Sequence, residues 1–252
     1  MKTTDNTILI TGGGTGIGRG LAEAFHRLGN QVIISGRGQR SLDETSTANP
    51  WMKPLTLDIA DPKSIQSFAG KMARDYPSLN VLINNAGIMQ SENLREPSAD
   101  SSTAEETITT NLLGPIRLTA ALLPTFSKQP RATIMTVSSG LAFVPLAMTP
   151  TYCATKAAIH SYTQSLRYQL KSTRVEVIEL IPPYVQTTLM GEHQASDPNA
   201  MPLEEFITEV MEILRTDAKE ICVQKVRPLR HAEAGQQKYE EFFQTFNDNM
   251  HT

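Results

Sequence analysis

Two kinds of apolar pattern take turns along the 252 residues of this chain. Short apolar runs occur at residues 7–11, 31–35, 54–58, 81–87, 132–137, 175–181 and 221–226, and each has the length and β-branched content of a buried strand. Between them, apolar residues recur every three or four positions, as on one face of a helix. Leu21, Ala22, Phe25 and Leu28 do so, as do Ile65, Phe68, Ala69 and Met72 after Pro62, and Ile159, Tyr162, Leu166 and Leu170. A short helix is predicted over 42–49 and a long one over 104–126 with a kink at Pro115. An amphipathic helix is expected over 202–214, and another over 233–246 carries Tyr239, Phe242, Phe243 and Phe246, a stripe that reads as core or subunit contact. Strands of this kind alternating with helices belong in a parallel sheet covered on both faces. The expected fold is therefore α/β, a doubly wound parallel sheet forming one domain over 1–252. Residues 92–102 are polar and read as a surface loop, 186–216 hold a substrate lid in which Leu189 and Met190 punctuate a sparse stretch, and 228–252 form a helical tail.

Glycines mark where such a sheet would hold a ligand. Residues 12–18, Gly-Gly-Gly-Thr-Gly-Ile-Gly, stand between the first strand and the first helix. Glycine permits positive φ and close approach to a pyrophosphate, while the free N–H groups of a helix start attract its charge. This is a Rossmann-type turn, and it points to a dinucleotide. The end of the second strand selects which one: an acid there binds the 2′-hydroxyl of NAD, whereas arginine accommodates the 2′-phosphate of NADP. The chain offers Ser35-Gly36-Arg37 and no acid before Asp43, so NADP is expected, with NAD possible and a solvated loop arginine as the plain alternative. The fourth and fifth strands run out into Asn84-Asn85-Ala86-Gly87 and Ser138-Ser139-Gly140, polar groups at the strand ends where ligands of parallel sheets sit.

Composition narrows the partners. A net charge of −3 and a pI near 6.0 give no electrostatic reason to expect nucleic acid or an anionic membrane. The N-terminus lacks a basic-then-apolar leader, and no stretch is apolar for the length of a membrane span. Cys153 and Cys222 are too few for a disulfide framework and show no metal-type spacing, so no metal and a cytoplasmic location are expected.

Chemistry concentrates in Tyr152-Cys-Ala-Thr-Lys156. Four residues apart on a helix, the phenol and the ammonium share a face, and a cation near a phenol of ordinary pKa ~10 favours its phenolate. The pair reads as a general acid/base. With these residues assembled, the chain resembles the short-chain dehydrogenase/reductase family from Thr7 to roughly Val226. Thr11-Gly12-x-x-x-Gly16-Ile17-Gly18 matches the family's nucleotide fingerprint and Asn84-Asn85-Ala86-Gly87 its fourth-strand motif. Asn111, Ser139, Tyr152 and Lys156 match its catalytic set, with Ser139 thirteen residues before Tyr152. Two departures are visible: Pro183 stands where the family has glycine after its sixth strand, and Thr15 replaces the basic residue many NADP-using members carry.

The resemblance implies an NADP(H)-dependent oxidoreductase interconverting a carbonyl and an alcohol. Tyr152 is then the acid/base, Lys156 lowers its pKa and holds the nicotinamide ribose, Ser139 binds the substrate oxygen and Asn111 orders a water. Cofactor contacts are implied at Gly12, Thr15, Gly16, Ile17, Gly18, Arg37, Asp58, Ile59, Asn85, Ala86, Gly87, Pro182, Val185 and Thr187, besides Tyr152 and Lys156. Leu141, Phe143, Leu189 and Met190 flank the expected site with Ser139, which favours a substrate with a hydrophobic group. The family also implies a homo-oligomer, dimer or tetramer, paired through the long helices. The alternative is an idle nucleotide-binding sensor, which would be expected to lack the intact catalytic set. Ser139 as a hydrolase nucleophile is set aside, because no Gly-x-Ser-x-Gly elbow surrounds it and His160 has no evident carboxylate to position it.

Overall fold

The computed structural model describes residues 1–95, 101–232 and 236–249, without the side chains of 236–240 and 244. At its centre β1 (Thr7–Thr11) is buried at every position and pairs in parallel with β2 (Gln31–Gly36) on one side and β4 (Leu79–Asn84) on the other. β3 (Lys53–Thr56) extends the β2 edge, while β5 (Ala132–Val137), β6 (Val175–Ile181) and β7 (Glu220–Cys222) extend the β4 edge. The order is β3-β2-β1-β4-β5-β6-β7, with every pairing parallel. Successive strand residues serve opposite faces: Ile8 and Ile10 join one core, with α1 (Gly16–Arg27) and α8 (Leu203–Ile213), and Leu9 joins the other. That second core lies under α3 (Pro62–Asp75), α5 (Gly114–Phe126) and α6 (Pro150–Gln169). Two covered faces explain why the strands read as apolar runs. Strand order reverses between β1 and β4, and a reversal of this kind opens a crevice at the strand carboxyl ends.

Several elements depart from the sequence pattern, each for a local reason. β3 stops at Thr56 because Asp58 turns the chain, its N–H donating to Ser64 Oγ and its Oδ1 accepting from Ala60 N. The expected helix over 104–126 is two helices, α4 (Ser102–Ile108) and α5, joined by a π turn at Thr109–Leu113. There Gly114 N donates to Thr109 O, five residues back, and Pro115 has no N–H with which to restore the four-residue bond to Asn111. The kink expected at Pro115 is a widened turn just before it. The expected strand over 221–226 is β7 followed by a 3-10 turn at Gln224–Val226, which brings Val226 and Leu229 against Gly140. α2 (Gln39–Ala48), α7 (Glu192–Ala195), α9 (Arg227–Arg230) and α10 (Gln236–Asn249) complete the described elements. In the polar stretch expected as a surface loop, 96–100 lie outside the described residues, but Glu92 accepts from Thr151 N and Oγ1 at the start of α6. Among the described residues no helix is long and apolar enough to cross a membrane.

Candidate active site

The glycine turn is held from β4. Thr11 Oγ1 accepts from the N–H groups of both Asn85 and Ala86, and Asn85 Nδ2 donates back to Thr11 O and Gly12 O. Gly12 and Gly16 have φ of +66° and +50°, conformations that disfavour a side chain. At Gly18 a Cβ would lie 2.2 Å from the Gly12 carbonyl, so that glycine keeps turn and helix in contact. Thr15 begins α1 without a side-chain cap, and the first turn carries no acid. The leading amides are therefore uncapped at the positive end of a helix dipole, and this donor set suits a pyrophosphate.

Ser139 follows β5 and Tyr152 and Lys156 lie in the first turns of α6, all three buried. Ser139 Oγ accepts from Leu141 N at 3.1 Å. Burial drives the Tyr152 phenol above its usual range, and its interaction with the Ser139 side chain pulls the other way. Lys156 Nζ sits 5.5 Å from the centre of the Tyr152 ring and donates to the Val137 carbonyl at 2.9 Å. The phenolate favoured by spacing alone is opposed by desolvation of the ring oxygen. Desolvation also pushes the Lys156 amine down, to about 8. Asn111, in the π turn, clasps the segment after β4: its Oδ1 accepts from Ile88 N at 2.9 Å and its Nδ2 donates to Ile88 O at 2.8 Å.

A cleft of about 720 Å³ runs from Gly12, Thr15, Gly16 and Ile17 past Asn85, Ala86 and Gly87 to Ser139, Tyr152 and Lys156. Pro182, Val185 and Thr187 also line it, as do Leu141, Leu189 and Met190. Its wall does not include Gly18, Arg37, Asp58, Ile59, Asn111 or Phe143. Gly18, Asp58 and Asn111 shape neighbouring backbone, and Ile59 packs against Gly114. Arg37 is exposed, its guanidinium 3.8 Å from Glu106 on α4. Phe143, expected at the substrate, is turned into the core, edge-on to His160 with the Arg230 guanidinium 4.6 Å from its ring. The model for short chain dehydrogenases matches residues 6–198.

The chain belongs to the short-chain dehydrogenase family of oxidoreductases. It is 39% identical over 250 residues to the uncharacterized oxidoreductase DltE of Bacillus subtilis (strain 168), covering 98% of each chain. Its fold matches that of a short chain dehydrogenase from Burkholderia cenocepacia J2315 in complex with NADP, with a TM-score of 0.82, 24% identity and coverage of 96% of this chain and 99% of that one. It also matches a short chain dehydrogenase/reductase from Burkholderia phymatum in complex with NAD, with a TM-score of 0.80, 19% identity and coverage of 92% and 95%.

Three features in or beside this dehydrogenase's cleft escaped sequence reasoning. Phe246 of α10 lines it and packs with Leu146, Tyr152 and Cys153, so one member of the aromatic stripe faces the site; the Tyr239 side chain lies outside the described residues. Asn247 pins that helix down, accepting from Ala147 N and donating to Pro145 O at 3.1 Å. In the stretch expected as a lid, Gln194 is buried and donates to Val185 O and Thr187 Oγ1, while Gln186 N donates to Met201 O and Met201 N to Tyr184 O. The ends of the segment are thus tied together while Leu189, Met190 and His193 face the cleft. Finally, His160 does have a carboxylate, since its Nδ1 lies 2.8 Å from Glu179 Oε2. The carboxylate comes from β6, nineteen residues on, a distance at which no local spacing rule applies. The arrangement is still not a hydrolase triad: Glu179 stands between His160 and Ser138, while the side chain of Ser139 meets Leu141 N and the Tyr152 phenol.

Proposed function

We propose that this protein is an NADP(H)-dependent oxidoreductase interconverting a ketone or aldehyde and an alcohol that bears a hydrophobic group. The observation that carries this reading is the convergence of Ser139, Tyr152 and Lys156 in the same cleft as the glycine turn. The uncapped amides of α1 and the side-chain-free glycines fit a dinucleotide's pyrophosphate, with Asn85, Ala86, Gly87, Pro182, Val185 and Thr187 as the further wall. When bound, the nicotinamide supplies or accepts the hydride. Ser139 and Tyr152 donate hydrogen bonds to the substrate oxygen, where negative charge grows as the carbonyl is reduced. Tyr152, which its burial keeps protonated, then transfers its proton to that oxygen. Lys156 supplies positive charge beside the phenolate left behind. Asn111 fixes the segment after β4, and its carbonyl, which Pro115 has no N–H to bond, would order a water for proton return.

Arg37 is the reason for choosing NADP. It is the first charged residue after β2, and its only paired neighbour among the described residues is an exposed glutamate at 3.8 Å, which a 2′-phosphate would outcompete. Leu141, Leu189, Met190 and Phe246 make the far wall apolar. A cytoplasmic homo-oligomer paired through α5 and α6 completes the proposal, and light scattering at monomer mass across micromolar concentrations would count against it. The test of function is a screen of carbonyl compounds and alcohols with NADPH/NADP and NADH/NAD, following absorbance of the reduced cofactor. Tight cofactor binding without turnover of any of them would favour the idle sensor instead.

A further inference from the structure

Glu179 is a carboxylate with no solvent exposure, set on β6 among apolar neighbours. An unpaired charge in such a place is prohibitively costly, so its partners reveal what holds it. Ser138 Oγ donates to Oε1 at 2.6 Å, and His160 Nδ1 lies 2.9 and 2.8 Å from the two oxygens. His160 is one helical turn beyond Lys156, so the imidazole and the buried ammonium stand on the same face of α6. Lys156 in turn donates to the carbonyl of Val137, the residue just before Ser138. The end of β5 therefore holds an ammonium through one residue and a carboxylate through the next. Burial works against the charge on Lys156, and the negative charge of Glu179 works for it.

The other charged groups around this cluster are accounted for. Glu220 of β7 is gripped by Arg230 of α9 through both oxygens, at 2.9 and 3.3 Å; burial works against its charge, but the Arg230 guanidinium holds the carboxyl below its usual range. Cys222 of β7 is half-buried, and burial disfavours its thiolate. His160, Glu179 and Glu220 could gather around a metal ion, but the Arg230 guanidinium already supplies the cation at Glu220. Ser138 and His160 hold the Glu179 carboxylate by hydrogen bonds, and Lys156 is the ammonium whose charge it supports.

We propose that Glu179 is a positioning residue: gripped by Ser138 and His160 behind the end of β5, its carboxylate is the fixed counter-charge that keeps Lys156 an ammonium in its buried place beside Tyr152. This rests on the reading of Lys156 as the electrostatic partner of Tyr152. Without Glu179 the desolvated amine has the Val137 carbonyl as its hydrogen-bond acceptor and no nearby anion among the described residues, and it sheds its proton at lower pH.

The experiment is competitive acetylation of the full-length protein with acetic anhydride between pH 6 and 11, with the extent at each lysine read by mass spectrometry. Only a neutral amine reacts, Lys156 faces the cleft, and neither cofactor nor turnover is needed. In the wild type the Lys156 midpoint is expected near 8. In Glu179→Gln it should fall by about one pH unit, with the exposed lysines unmoved. The alkaline limb of the rate profile should move with it. An unmoved midpoint in folded Glu179→Gln overturns the proposal while leaving the Tyr152 mechanism standing. Failure of that mechanism would show separately, as full turnover by Tyr152→Phe. If Glu179→Gln does not fold, Glu179→Met with His160→Phe removes the same charge with apolar contacts in its place. The same downward shift is then expected, and an unmoved midpoint is again decisive against.

Discussion

At the glycine-turn end of the cleft the wall is mostly backbone, whereas at the opposite end it is side chains drawn from three stretches far apart in the chain. Gly12 and Gly16 line the first wall, backed by Gly18 against the Gly12 carbonyl and fixed by hydrogen bonds between Thr11 and the Asn85-Ala86 segment. Leu141 and Leu146 after β5, Leu189 and Met190 after β6, and Phe246 of α10 make the second. A backbone wall offers the same N–H groups whatever the side chains, which suits a ligand part that never varies. A wall of apolar side chains changes shape with each substitution, which suits selection among substrates. The first should therefore be intolerant of change, and the second adjustable.

The largest effect is expected where the two walls meet. Tyr152→Phe keeps the ring and deletes the acid, so turnover should fall by about 10²–10⁴-fold with cofactor affinity nearly intact. In wild type, carbonyl reduction should slow as pH rises through about 8, because Lys156 then loses the proton whose charge supports the phenolate. Wild-type turnover by Tyr152→Phe would remove the junction from the comparison altogether.

Beyond the backbone wall, at the end of β2, Arg37→Ala should weaken NADPH by about 1.5–3 kcal/mol and NADH hardly at all, a contrast titration calorimetry would read. Equal weakening of both would make Arg37 a loop residue. Gly18→Ala places a Cβ 2.2 Å from the Gly12 carbonyl, and stability should drop by about 1–3 kcal/mol in denaturant melts. An unchanged midpoint would show this wall to be less rigid than its contacts imply.

Smaller effects follow further from the chemistry. Pro115→Ala restores an N–H that can bond the Asn111 carbonyl, so turnover should slow by roughly tenfold with cofactor affinity little changed. A variant whose structure shows that bond closed, yet which turns over normally from pH 6 to 9, would rule out a role for the π turn. Phe246→Ala should alter the ranking of substrates by size, changing KM by roughly three- to tenfold for bulky ones and leaving kcat alone. An equal loss across all substrates would mean that Phe246 supports the fold and does not select.

The backbone wall was legible because its requirements are local. A positive φ needs glycine within a few residues of the strand it follows, and Tyr152 and Lys156 sit one turn apart whatever covers their helix. The side-chain wall was legible only in part. Leu141, Leu189 and Met190 were found by their position after strand ends, but Phe143 at the same loop faces the core and Phe246, a hundred residues away, replaces it. No periodicity distinguishes an aromatic residue that faces the core from one that faces a cleft.

Strand runs, helical stripes and the glycine spacing in this sequence determined the parallel sheet, the place of its crevice and the shared helix face of Tyr152 and Lys156, because each depends on geometry within a few neighbouring residues. Tertiary structure alone decided the charge states and the far wall. The Tyr152 phenol is pushed up and the Lys156 amine down by burial under elements remote in sequence, and His160 acquires its carboxylate from β6 across the sheet–helix interface. Desolvation and long-range pairing belong to the packed molecule, and so the electrostatics of the site appeared only once β5, β6 and α6 were brought together.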